Sequence, residues 1–306
     1  MNIASYASPV NLRQTELNSA NEVNDNILSE LCLEASRDFE AMCGGRFFYP
    51  QLATKYFDHP DQKGNENATL IVRDDLLQVV TLTTDNGNET LASTDYFLRT
   101  GPRGRYGETP YDRIELEYGS TGYATNFQWT DTPQKANAVT GFWGYVPGWT
   151  GAVATDSCWV NTGAAIQSVT STTMTVDSLA GVDMLGMYPR VQKFDLVMWY
   201  NTTYTSMEMG FVVDVAEDTG VLTVNRGVNG TSTDTPSGTP TLYKFRPPSD
   251  VVRATRRLAA FYYRARQTSR ADIDRPIITQ GGQIVMPSSL PKDVHETIQR
   301  YQGILE

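Results

Sequence analysis

Two helix-like segments that belong together but lie far apart constrain this chain more than any other feature. The first is Asn21–Cys43, where Val23, Ile27, Leu28, Leu31, Cys32, Ala35, Phe39 and Met42 recur at steps of three and four. That spacing draws one apolar stripe along a helix. Asn21 is the candidate N-cap, with Glu22 and Asp25 in the positive first turn, and Gly44-Gly45 ends the segment. The second is Pro247–Arg270, with proline at the first turn and Val251, Leu258, Phe261, Tyr262 and Ala265 on its apolar side. Two stripes of this kind predict helices that cover each other, although about two hundred residues separate them.

The intervening residues read as strands and turns. Leu70–Val72, Leu76–Leu82, Tyr96–Arg99, Ile114–Tyr118 and Ala138–Tyr145 are the first strands, with turn chemistry at Asp85-Asn86-Gly87-Asn88. From about 147 to 246 the chain becomes Thr-rich and short-stranded: Ala165–Val169, Thr173–Val176, Phe194–Trp199, Met207–Val215 and Val221–Asn225. Short strands in that number close on themselves to hide their edges. The expectation is an α+β fold. Residues 1–146 and 247–306 form a helical core of two long helices plus short ones, with antiparallel strands. Residues 147–246 form an inserted all-β barrel or sandwich, a separate unit whose deletion should leave a soluble helical protein. After Pro291 a last short helix, Lys292–Tyr301, is predicted.

The chemistry-bearing residues are few. Two histidines and three cysteines occur, with no CxxC, HExxH, GxSxG or GxxxxGK[ST] spacing. No catalytic residue, metal ligand or cofactor is predicted, and the chain is read as a non-enzyme. Asp58, His59 and Asp61 form a metal-like trio that a solvated turn explains better. A net charge of -10 argues against wrapping nucleic acid with the whole surface. The opening MNIASYASPVNLRQ has neither the basic nor the apolar region of a signal peptide, and no apolar run is long enough to span a membrane. The expectation is a soluble protein made in a cytoplasm.

Two surfaces invite a partner. Arg253, Arg257 and Arg264 share a face of the second helix. They either pair with acids of a neighbouring element or face DNA or an acidic partner. Near the C-terminus, Ile284, Val285 and Met286 have strand character suited to pairing with a partner's edge, and Val294, Ile298 and Tyr301 form one apolar stripe. That stripe either docks on a partner or folds back on its own subunit.

The order of several short motifs resembles the head-to-tail connector (adaptor) proteins of tailed bacteriophages. Cys43-Gly44-Gly45-Arg46-Phe47 is similar to the end of that family's first long helix. Asp75–Leu82, followed by the Asp85-Asn86-Gly87 turn and Tyr96, resembles its first strands, and Gly141-Phe142-Trp143-Gly144-Tyr145 its glycine–aromatic–glycine–tyrosine strand. Leu290-Pro291-Lys292-Asp293-Val294 through Tyr301 resembles its C-terminus. The resemblance covers about two-thirds of the chain and breaks at the insert. There Leu222–Thr231 looks like a small β-domain that recurs in virion proteins. What it implies is a structural protein of the virion neck, assembled in the host cytoplasm. About twelve copies would form a ring beneath the portal protein; the insert, about a hundred residues long and too large for a channel sized for one duplex, is expected on the outside. DNA would pass through without sequence-specific binding. The C-terminal segment, Ile284 to Tyr301, would anchor to the portal, and a tail-completion or tail-tube protein would bind below. The rival reading is a glycan-binding or tail-fibre-associated protein that stacks sugars on Trp149, Trp159, Trp199, Tyr200 and Tyr204.

Overall fold

The computed structural model describes residues 4–17, 24–60, 68–100, 105–106, 109–117, 126–150, 158–200, 207–233, 235–236, 238–267, 277–278, 284–285 and 290–302. Helix α1 spans Pro9–Leu12, α2 Asp25–Met42, α3 Ser249–Gln267 and α4 Lys292–Tyr301. Helix α2 begins three residues later than its stripe suggests. Asn24 is the N-cap, and its side-chain oxygen accepts the N–H of Asn26. Leu28, Leu31, Cys32, Ala35 and Phe39 of α2 are buried, as are Val251, Ala254, Leu258, Ala259 and Ala260 of α3. The small side chains of α3 let the two helices lie close together.

The helices do not form the body by themselves, and the expected helical core is corrected: strand outweighs helix. Strands β1 (Gln51–Phe57), β2 (Thr69–Thr84), β3 (Glu89–Leu91), β4 (Tyr96–Thr100), β5 (Arg105–Tyr106), β6 (Tyr111–Leu116) and β7 (Asn137–Trp143) make a seven-stranded sheet. Its order is β1-β7-β2-β6-β4-β5, with β3 beside β2, and every pairing is antiparallel. Leu77 and Phe142 join the helical core. Leu76, Val139 and Trp143 build a second core with Leu70, Val72, Ile114 and Leu116. The sheet therefore has apolar clusters on both faces, and the helix pair is one layer against it.

The insert closes into a six-stranded barrel. Its strands are β8 (Trp159–Val169), β9 (Thr173–Val176), β10 (Leu196–Tyr200), β11 (Met207–Ala216), β12 (Val221–Arg226) and β13 (Thr241–Phe245), in the order β10-β11-β12-β9-β8-β13. Val197, Trp199, Val212, Leu222, Val224 and Leu242 fill the interior. The alternate residues Leu196, Met198, Met207, Met209 and Phe211 belong to the same apolar cluster as α2 and α3. Both faces of β10 are thus buried, which explains its unbroken apolar run. Backbone bonds reinforce the joint: Leu52 N–H donates to Asn229 O at 2.8 Å, and Ser5 N–H to Phe194 O at 3.2 Å. The insert is not a free appendage. Excising it would uncover apolar side chains that α2 and α3 share with β10 and β11.

One buried ion pair lies in the barrel wall. The Glu208 carboxylate is fully buried and takes two hydrogen bonds from Arg226, at 2.8 and 2.7 Å. Removing one partner of such a pair costs roughly 3–5 kcal/mol, because the other charge is left uncompensated. Glu208→Gln is expected to lower stability by about 3 kcal/mol in urea or guanidinium titration. A second acid stands just before β10. Burial pushes the Asp195 carboxyl up to about 6, against the opposing pull of Lys244 and the Gln192 N–H. A carboxyl raised in the fold favours the protonated state. Its share of stability is therefore greatest below the ordinary value of about 4 and is lost as pH rises towards 6. Asp195→Asn is expected to remove that loss. The variant should gain on the order of 1–2 kcal/mol over the parent at pH 7 and little at pH 4, read from paired melts.

Candidate functional site

Among the described residues no group of three His, Cys, Asp or Glu is placed to hold a metal ion. His59 Nε2 lies 2.8 Å from the carbonyl of Phe127, and Asp58 Oδ1 accepts the N–H of Lys135 at 2.9 Å. Both fasten loops, and Asp61 lies outside the described residues. The three cysteines are buried and free, and burial pushes the Cys32 and Cys43 thiols up to about 12. Thiols held neutral in this way are poor nucleophiles.

The arginine face of α3 is largely engaged within the chain. Arg257 pairs with Asp293 at 2.7 Å, and Arg264 donates to the Glu16 carbonyl at 2.8 Å. Arg256 pairs with Glu16 at 3.1 Å and Arg266 with Glu34 at 2.8 Å. These contacts tie α3 to the N-terminal segment, to α2 and to α4. Arg253 is exposed and has no such contact among the described residues. Of the three predicted residues, Arg257 thus meets an acid of a neighbouring element and Arg264 a main-chain carbonyl, both within the chain.

The C-terminal residues divide as well. Ile284–Val285 (β15) pairs antiparallel with Ile277–Ile278 (β14), and Met286 lies outside the described residues. Val294, Ile298 and Tyr301 are buried in the chain's own core. The Tyr301 ring lies 5.0 Å from Phe48 and 5.2 Å from Tyr145, and its hydroxyl donates to Asp250 at 2.7 Å. The stripe of α4 is therefore occupied, and the expectation that it docks on a partner is corrected. A ten-residue helix with three large side chains and a buried wall nearby gains most by folding back.

The aromatic residues of the glycan reading are occupied too. Trp149, Trp159 and Trp199 are buried, the first against Phe142 at 5.3 Å and the second against Phe245 at 5.3 Å. Tyr200 packs on Tyr243 at 5.9 Å, and Tyr204 lies outside the described residues. No sugar-stacking platform is formed by the described members of this set.

What the sequence did not reveal is where its scattered motifs meet. Arg46, just past the end of α2, pairs through Nε with Asp75 at 2.7 Å and donates through Nη1 to the Tyr301 carbonyl at 3.0 Å. Its guanidinium lies 4.9 Å from the centre of the Tyr145 ring. Asp75 O accepts the N–H of Gly144 at 2.8 Å, and Phe47 O accepts that of Tyr145 at 2.9 Å. The two motif glycines have a steric reason: a Cβ on Gly141 would lie 2.2 Å from Gln78 O, and one on Gly144 2.3 Å from Tyr49 O. Beside this junction opens a groove of about 1000 Å³, whose rim carries Lys55, Arg73, Asp74, Asp112 and Arg113. Lys55 pairs with Asp74 at 3.0 Å across it. Burial raises the Asp75 carboxyl, with Arg46 opposing.

No protein-family model matches this chain, and no curated protein does either.

The packing of α4 yields a direct test. Ile298→Ala is expected to cost roughly 2–4 kcal/mol in chemical denaturation, as loss of a buried branched side chain does. Truncation after Arg270 is expected to destabilise the body strongly, because it removes the buried side chains Val294, Thr297, Ile298 and Tyr301 of α4.

Proposed function

We propose that this protein is a structural adaptor of a tailed-phage neck, a ring-forming subunit that sits beneath the portal and extends the DNA channel. The observation that carries the reading is the convergence at Arg46. The residues on which the resemblance rests come from four separate stretches: Gly45–Phe47, Asp75, Gly144-Tyr145 and Tyr301. They meet at one junction, each with an identifiable steric or electrostatic task. Short motifs that coincide by chance have no reason to meet in space.

In this reading the subunit works by shape and charge. A chain of net charge -10 offers phosphate few attractive contacts, so DNA slides past it. Portal docking falls to the segment around the β14–β15 hairpin, since the α4 stripe is engaged at home. A two-stranded ribbon is marginal alone and gains from a third strand. The barrel stands to the outside of the ring, and a tail-completion or tail-tube protein binds the opposite end.

The test is co-assembly. Purified protein mixed with isolated portal rings is expected to form a stacked complex of about twelve copies, visible in negative-stain images and by mass photometry. Replacing the hairpin residues Ile284 and Val285 together by Asp should weaken portal binding at least tenfold without changing the melting temperature. A protein that ignores portal rings at every salt concentration would refute the adaptor reading.

A further inference from the structure

An exposed apolar tip stands on the barrel, between β9 and β10, in residues 182–188. Val182, Met184, Leu185, Met187 and Tyr188 are 47%, 69%, 54%, 46% and 54% exposed. Single exposed apolar residues need no explanation, but five in one loop do.

The loop is built rather than slack. Asp183 points inward, and its Oδ1 accepts the N–H groups of Leu185 and Met187, both at 2.9 Å. Its Oδ2 pairs with Lys244 at 2.8 Å. Asp183 N–H donates to Met187 O at 3.0 Å, and Met184 N–H to Asn161 O at 3.1 Å. Arg190 donates through Nε to Val182 O at 3.0 Å. Every polar group named here serves to hold the loop: Asp183 and Lys244 pair with little exposure, and Arg190 is engaged by the carbonyls of Val182 and Ser178. What faces outward is a neutral, preformed, apolar surface.

We propose that this loop is a subunit–subunit contact, seated on the adjacent copy of this chain. The inference rests on the ring reading above and names one of its contacts. Charge selects the occupant. Nucleic acid or an anionic lipid surface would meet a chain of net charge -10 and find no outward cation on the loop. Copies of an acidic chain also repel one another, so contact between them is cheapest where neither presents charge. Area selects the geometry. Five half-exposed side chains offer on the order of a few hundred Å², below the roughly 800 Å² per partner of a stable pair. A lone pair held by this loop is weak. In a closed ring each copy gives one loop and receives another, and the contacts reinforce one another. The preformed loop loses little freedom on docking.

The test uses the full chain and the double variant Met184→Asp, Leu185→Asp. Both side chains are exposed, so its melting temperature should match the parent's. In sedimentation velocity and native mass spectrometry the parent is expected to form rings, and the variant to self-associate at least tenfold more weakly. A variant that assembles like the parent overturns the inference, and so does a parent that is monomeric both free and on the portal. Portal binding separates this from the adaptor reading. Self-association that the variant abolishes, with no portal affinity in either protein, keeps the loop contact and rejects the adaptor. Portal-bound rings formed equally by both proteins do the reverse. Co-sedimentation with phosphatidylglycerol vesicles is the third arm; binding by the parent that the variant loses would assign the loop to lipid and overturn the proposal.

Discussion

The body of this protein turns on one guanidinium. Arg46 stands where α2 ends, and it satisfies in one place a half-buried carboxylate from the bulge of β2, the last carbonyl of α4 and the face of Tyr145. Helix, sheet and C-terminal helix would otherwise meet there with a half-buried acid unpaired. Leaving a charge partly desolvated without a partner is costly, and Arg46 removes that cost. Arginine suits the position because its planar fork reaches three partners at once, whereas lysine's point charge does not. The close approach of Gly144 to Tyr49 fits the same economy of space: the strand that delivers Tyr145 has no room for a Cβ.

The barrel repeats the theme of surfaces with two duties. One set of alternate residues in β10 and β11 packs inside the barrel and the other set packs on the helices. Glu208, on the inward set, is tolerated because Arg226 meets it with a two-pronged contact. Polar anchoring beneath an apolar exterior also shapes the 182–188 loop, where Asp183 holds backbone amides so that the tip can be hydrophobic without collapsing.

Much of the secondary structure was legible. The two long stripes locate α2 and α3 to within a few residues, and Pro291 marks α4. What periodicity cannot report is which layer dominates, so two strong helical signals suggested a helical core while seven individually weak strands outweighed them. β1, Gln51-Leu52-Ala53-Thr54-Lys55-Tyr56-Phe57, was passed over because its alternation is faint; its partner β7 supplies the reason for extension. β2 read as two strands because Arg73-Asp74-Asp75 breaks the apolar pattern, and in the fold those residues lie in a bulge at the groove. The direction of the α4 stripe was not legible, since an apolar face looks the same whether it meets its own body or another chain. The motif residues were visible one by one, but their meeting at Arg46 is a fact of three dimensions.

The two ends of the barrel are hydrogen-bonded neighbours: Arg246 N–H donates to Cys158 O at 2.7 Å, next to the paired residues Trp159 and Phe245. By topology alone such a module could come and go, since its ends close like those of a short turn. The outward residues of β10 and the start of β11, however, share one continuous core with α2 and α3. Connectivity and energetics therefore disagree about what a unit is. The genetic seam lies across two adjacent strands, while the melting seam lies nowhere between barrel and body. In a calorimeter the two should lose structure in one cooperative step, because neither can shed the other without exposing the interior both were built around.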